Sequence, residues 1–164
     1  MTDAVTEFVA TPLPIHSPEA QSLIRAYFFD IGSRYWGREV TPAEVDAVII
    51  DEPNDDLAPP SGDFFVLRDG TEDVGCVGVR RIDPHTCELT RLFVAPHARG
   101  RGAGRALIAA VERSAREFGA RTLRLDTRSD LTEARALYAA CGFAEIPRFN
   151  DDEYAEHWFA KALG

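Results

Sequence analysis

No apolar run in the 164-residue sequence approaches the ~18 residues that a membrane-crossing helix needs. The three cysteines, Cys76, Cys87 and Cys141, form no CxxC pair, and no His, Cys or carboxylate cluster has metal-ligand spacing, so no metal is expected. Residues Met1 to Glu7 have neither a basic start nor an apolar core and predict no secretory signal. An odd thiol count without such a signal implies reduced cysteines and a cytoplasmic setting. Each cysteine reads as a small buried apolar residue rather than a nucleophile. Basic residues are outnumbered, 18 against 27 acidic, and the formal charge of −9 argues against nucleic acid or an anionic membrane as a partner.

Against that acidity, Arg91, Arg99, Arg101, Arg105, Arg113 and Arg116 make the middle of the chain basic, which points to a particular anion. Hydrophobic residues make up 45% of the chain, enough to build a core, and the length predicts one domain over residues 1–164. Residues 5–10 have strand character. Ser17-Pro18 opens a helix with apolar positions from Leu23 to Ile31, running to about Ser33. Thr41-Pro42-Ala43-Glu44 is a capping box before a second, short helix. A loop over 51–62 precedes three strands, 63–68, 74–81 and 86–95, that read as an antiparallel meander. The period then changes. Ala103, Leu107, Val111, Ala115 and Phe118 mark an amphipathic helix with Gly119 as its C-cap. A strand over 121–126 follows, then a helix capped by Asp130 with Glu133, and two final strands over 143–146 and 154–163. One strand–helix–strand crossover among antiparallel pieces gives a mixed α/β sheet with helices on its faces.

Between the third meander strand and the amphipathic helix lies Arg99-Gly100-Arg101-Gly102-Ala103-Gly104-Arg105. Glycines let a ligand approach the backbone, and the free N–H groups and dipole of a helix start suit a phosphate or pyrophosphate. It is not a Walker A loop, because Gly-Lys-Ser/Thr is missing. The G-x-G-x-x-G fingerprint fails as well, with Arg105 or Leu107 in the last position. The pattern present is Arg-x-x-Gly-x-Gly, on Arg99, Gly102 and Gly104. With Cys87 to Val94, Leu123 to Thr127, and Leu137-Tyr138 followed by Gly142-Phe143, it resembles the GNAT superfamily of N-acetyltransferases from about Phe64 to Leu163.

That resemblance implies a mostly antiparallel twisted sheet with one splayed parallel strand pair, and acetyl-CoA (coenzyme A) as cofactor. Backbone groups of Leu92, Phe93 and Val94 would bond the pantetheine arm. The N–H groups from Arg99 through Gly100, Arg101, Gly102 and Ala103 to Gly104 would hold the pyrophosphate, with the Arg99, Arg101 and Arg105 side chains beside it. Leu131 stands where many members carry asparagine. An attacking amine must lose a proton, the oxyanion formed needs a donor, and the leaving thiolate needs a proton. Glu88 is the candidate base, directly or through water, against the reading of a salt-bridged strand carboxylate. Tyr138 is the candidate acid, its phenol having an ordinary pKa of ~10, against the reading of a packed aromatic. The Val94 N–H is the candidate oxyanion donor. The acceptor pocket would draw on Arg25, Tyr27, Phe28, Trp36 and His157. Arg25 could instead pair with Glu19, and His157 could be a half-buried strand histidine. The function expected is acetyl transfer to a small-molecule primary amine. Protein or peptide acetylation and a non-catalytic acyl-CoA sensor are the alternatives. Dimers are frequent among members, so the resemblance also allows a homodimer.

Overall fold

Alternating strand patterning stops at Val94 and helical spacing starts at Ala103, and the chain changes layer between those two residues. The computed structural model describes residues 8–164. The strand expected over 5–10 therefore lies partly outside the described residues; β1 runs over Val9–Pro12. There follow α1 (Pro18–Trp36), α2 (Pro42–Asp51), β2 (Gly62–Asp69), β3 (Glu72–Asp83) and β4 (Thr86–Val94). After a 3₁₀ turn at Pro96–Ala98 come α3 (Ala103–Glu117), β5 (Thr122–Thr127), α4 (Thr132–Ala140), β6 (Ala144–Ile146) and β7 (His157–Ala162). The seven strands form one sheet in the order β1-β2-β3-β4-β5-β7-β6. Every neighbouring pair is antiparallel except β4 with β5.

Local chemistry sets most of the boundaries. The Ser17 hydroxyl accepts from the Ala20 N–H, and Thr41 and Glu44 cap each other's backbone reciprocally. Helix α1 extends past Ser33 to Trp36 because Gly37, at φ +68°, supplies the left-handed residue that ends it. At the end of α3 the cap is Phe118, and Gly119 takes the left-handed position, with the Ala120 N–H reaching back to the Ala115 carbonyl. Asp130 does not cap α4. Its carboxylate accepts from Arg128, and Leu131 occupies the cap position with no side-chain bond. The last strand begins at His157 rather than Tyr154, because Asp152 holds the Tyr154 N–H in a turn.

Both faces of the sheet are covered, so β2 reads as a continuous buried run rather than an alternation. Phe65 and Leu67 pack with Leu107, Ile108, Val111 and Tyr138 under α3 and α4. Phe64 and Val66 pack with Ile24, Phe28, Val45 and Leu57 on the other face, which α1 and α2 cover. Lys161 on β7 fastens the α3 layer: its Nζ donates to the Cys141 carbonyl (2.7 Å) and pairs with Glu112 (2.5 Å). Leu107 is fully buried where α3 crosses β3, close to Gly75. Leu107→Ala is expected to cost about 2–5 kcal/mol of unfolding free energy, measured by urea denaturation.

Candidate active site

The parallel pairing of β4 with β5 covers only the Thr86–Thr122, Cys87–Leu123 and Glu88–Arg124 rungs. Beyond them β4 stays with β3 as far as Val94, while β5 follows β7 to Thr127. A bulge accompanies the parting. Thr90 lies opposite Gly78 and Phe93 opposite Cys76, so Arg91 and Leu92 together face Val77. Arg91 takes φ +57°, a left-handed conformation that side chains other than Asn and Asp rarely adopt. The extra residue turns Phe93 toward the α1 face and returns Leu92 and Val94 to the α3 core.

A cavity of about 1030 Å³ fills the gap. One end is the start of α3. Gly102 is its N-cap at φ +86°, without a side-chain cap, and no acidic residue lies in the first turn. Gly100 is also left-handed, at φ +78°, and a Cβ on either glycine would meet open space. The first-turn N–H groups have no intrahelical partner and carry the positive end of the helix dipole. Gly104 serves a different need: a Cβ there would sit 2.5 Å from Leu137 Cδ2, so its absence lets α4 lie close to α3. Ala103 and Arg105 also line this end, Arg105 being exposed and without a carboxylate partner among the described residues. Arg99 bridges the turn, its Nε donating to the Val94 carbonyl (3.0 Å) and its Nη2 to Asp30 (3.4 Å).

At the fork itself, Glu88 is half-buried with Arg124 Nε 3.7 Å away. Burial raises its pKa above the ordinary carboxylate value, and Asp126 adds to the rise while Arg124 opposes it. Asp126 and Glu52 share the cavity, and burial raises both of them too. Asn150 Nδ2 donates to Asp126 (2.7 Å). Tyr138 is 4% exposed and packs edge-on against Phe143, with Phe159 beyond it. Burial pushes its phenol above the ordinary value, so it stays protonated. Its hydroxyl has no hydrogen-bond partner among the described residues. Because the Ala95 N–H donates to the Val74 carbonyl, alternation along the strand turns the Val94 N–H to the unpaired edge.

Tyr27 and Phe28 line the opposite wall, with Trp36 at the rim, 60% exposed. Three expected site residues lie elsewhere, each held by a carboxylate. Arg25 Nη1 donates to Asp46 (2.6 Å) between α1 and α2. Arg101 donates to Asp69 (3.1 Å) and lies over the Phe8 ring. His157 bonds Ser129 and Glu145 outside the cavity. Conversely, sequence reasoning did not place Arg91 or Glu52 on the cavity wall. A left-handed arginine in a strand leaves no glycine signal to find it by.

Acetyl-CoA fits the residues present. An uncapped helix start with two open, left-handed glycines accepts phosphate charge, and the unpaired edge of β4 from Leu89 to Val94 accepts an amide-bearing chain.

A carboxyl whose folded pKa exceeds its unfolded one binds its proton more tightly in the native state, so ionisation costs stability as pH rises through that window. Glu88→Gln is therefore expected to melt higher than the parent at pH 7. The difference should disappear below the ordinary carboxylate pKa, as read by thermal melts across pH.

Comparison with known proteins agrees with this arrangement. The sequence model of the Acetyltransferase (GNAT) family matches residues 20–143. An uncharacterized N-acetyltransferase of Schizosaccharomyces pombe is 31% identical over 137 residues, covering 82% of this chain and 80% of that one. An acetyltransferase structure from Streptococcus agalactiae superposes with TM-score 0.75 at 20% identity, over 95% of this chain and 98% of that one. The PaiA N-acetyltransferase of Thermoplasma acidophilum, solved in complex with coenzyme A, gives TM-score 0.73 at 16% identity, over 95% and 99%. A family match over most of the chain, joined to the forked β4–β5 pair and the glycine turn, settles the assignment: the chain belongs to the GNAT family of acetyltransferases.

Proposed function

We propose that the protein moves the acetyl group of acetyl-CoA to the primary amine of a small molecule, with Glu88 as base and Tyr138 as acid. The observation that carries this reading is the pairing of roles at the fork. A carboxylate with a raised pKa and a free, protonated phenol line the same gap, where β4 leaves β5. The coenzyme A bound by the Thermoplasma acidophilum relative supports the choice of donor.

Acetyl-CoA supplies an activated acyl thioester. The first turn of α3 would hold the pyrophosphate through the backbone of Gly100 to Gly104, and the unpaired edge of β4 would hold the pantetheine amides. The Val94 N–H, on that unpaired edge, would donate to the carbonyl oxygen, where negative charge develops. Glu88, directly or through one water, takes the proton from the attacking ammonium. The amine nitrogen would bond the acetyl carbon and the carbon–sulfur bond would break as Tyr138 gave its proton to sulfur; the second nitrogen proton, shed as the amide forms, would return to the Tyr138 phenolate through solvent. A base with a pKa above the carboxylate norm binds the amine's proton better than an exposed glutamate would.

Calorimetry is expected to show acetyl-CoA binding by the parent. Gly102→Asp keeps the left-handed backbone accessible but places a carboxylate against the N–H groups, and should weaken that binding about 10- to 100-fold. Unchanged affinity would remove the cofactor from the glycine turn.

In steady-state assays against an amine panel, Glu88→Gln should lower kcat/KM by about 10²- to 10⁴-fold with acetyl-CoA affinity kept. The parent's rate should fall as pH drops through the raised Glu88 pKa, so its acidic limb lies above the ordinary carboxylate range. Full turnover in both Glu88→Gln and Tyr138→Phe would refute the assigned roles.

A further inference from the structure

We propose that Arg91 binds a carboxylate on the acceptor, so that the preferred substrates are amines that also carry a carboxylate. The inference rests on the acetyl-transfer reading of the same cavity and adds the substrate class to it.

Arg91 is 9% exposed and forms part of the cavity wall at the bulge. Its Nε donates to Asn54 Oδ1 (2.8 Å) and its Nη1 to Thr90 Oγ1 (3.0 Å), both neutral acceptors. Its guanidinium lies 5.0 Å from the Phe28 ring centre and 5.9 Å from that of Tyr27. No carboxylate among the described residues comes within 4.0 Å of it. Arg34, Arg80 and Arg128, also on the cavity, each have such a partner. A buried charge without a carboxylate in contact is expensive. Here only neutral oxygens and aromatic faces touch it, while Glu52 and Glu88 feel its charge from beyond 4.0 Å.

An arginine has five N–H donors, and two of these are engaged. The two Nη2 protons and the second Nη1 proton remain. One Nη1 and one Nη2 proton suffice to meet a carboxylate through two parallel bonds. The backbone adds an independent observation: a non-glycine residue is held at φ +57° at a bulge that lines the cavity. Such conformations persist where the surroundings over-determine them, and they cluster at ligand clamps.

The wall also carries groups of the opposite sign. Glu52, Glu88 and Asp126 line the same cavity, and Glu88 lies three residues before Arg91 on β4. A plain amine would satisfy these carboxylates and leave Arg91 unpaired. A plain carboxylate would meet Arg91 but be repelled by the acids. A molecule with an ammonium at Glu88 and a carboxylate at the bulge satisfies both, which is how a site selects by penalising each half alone.

The test uses the free L-amino acids and a series of ω-amino acids, each beside its own carboxamide, with saturating acetyl-CoA. At least one free acid is expected to exceed its carboxamide in kcat/KM by about 10- to 100-fold, the size of one charge-assisted pair. Arg91→Gly suits the left-handed backbone and removes the whole side chain, guanidinium included. It should bring that ratio close to one through KM for the acceptor, with acetyl-CoA affinity unchanged by calorimetry. Arg91→Lys keeps a charge without the planar fork and should retain only part of the ratio, which decides the matter should the glycine variant not fold. The proposal is overturned when no free acid outruns its carboxamide, or when the preference survives in the folded variants. Acetyl-CoA binding and acetylation of plain amines would in that event leave the acetyl-transfer reading intact. Loss of acetyl-CoA binding in the parent would overturn both.

Discussion

Backbone hydrogen bonding that goes unmet along one edge of β4 is the constraint on which the rest of the molecule turns. A parallel pair in the middle of a sheet should continue, because each abandoned rung leaves donors and acceptors without partners. Here pairing ends at Glu88–Arg124, and the remaining β4 residues keep only β3. The bulge at Arg91 bends the strand away from β5, and β7 takes over the far side of β5. The sheet survives this opening because both faces carry packed helices, so the strands are held by side chains where the ladder fails. What results is a polar slot in the middle of a hydrophobic architecture, with a helix start at one end and carboxylates at the other.

Much of this could be read in the sequence, and the reason is local. Helix starts at Ser17 and Thr41 depend on neighbours within three residues, and so does the left-handed Gly119. The glycine turn before α3 was equally legible, since a bare, uncapped helix N-terminus needs no distant partner. The expected site residues that lie off the cavity are those whose fate depends on long-range pairing. Arg25 is taken by Asp46, Arg101 by Asp69, and His157 by Ser129 and Glu145, at separations that no local pattern encodes. Asp130 was a plausible helix cap until Arg128 claimed it. Gly104, expected in the anion turn and present in the cavity lining, also serves packing that no local pattern shows, since Leu137 on another helix needs its missing Cβ. Arg91 was visible only as one of the basic residues in the middle of the chain. Its place on the cavity comes from a register shift between β3 and β4, which leaves no trace in residue type.

The electrostatic design follows from the same geometry. An acidic protein ordinarily disperses its carboxylates into water. Here Glu52, Glu88 and Asp126 are drawn into the slot, where burial opposes their ionisation. The α3 end offers positive potential from peptide groups and arginines instead. The slot therefore runs from a positive end to an acidic end, with the fork in the sheet between them. Stability is given up at Glu88 for a basicity that an exposed carboxylate would lack.

Lys161 is the single lysine of the chain; every other cationic side chain that stays charged at all pH values of interest is an arginine. Its ammonium is tied to Glu112 and the Cys141 carbonyl. Guanidinium groups do not give up a proton in proteins and so are poor nucleophiles. A protein that handles an activated acetyl thioester thus presents almost no side-chain amine of its own to that reagent. The one it has is engaged on both sides, which protects the fastening between β7 and α3 from the chemistry the protein carries out.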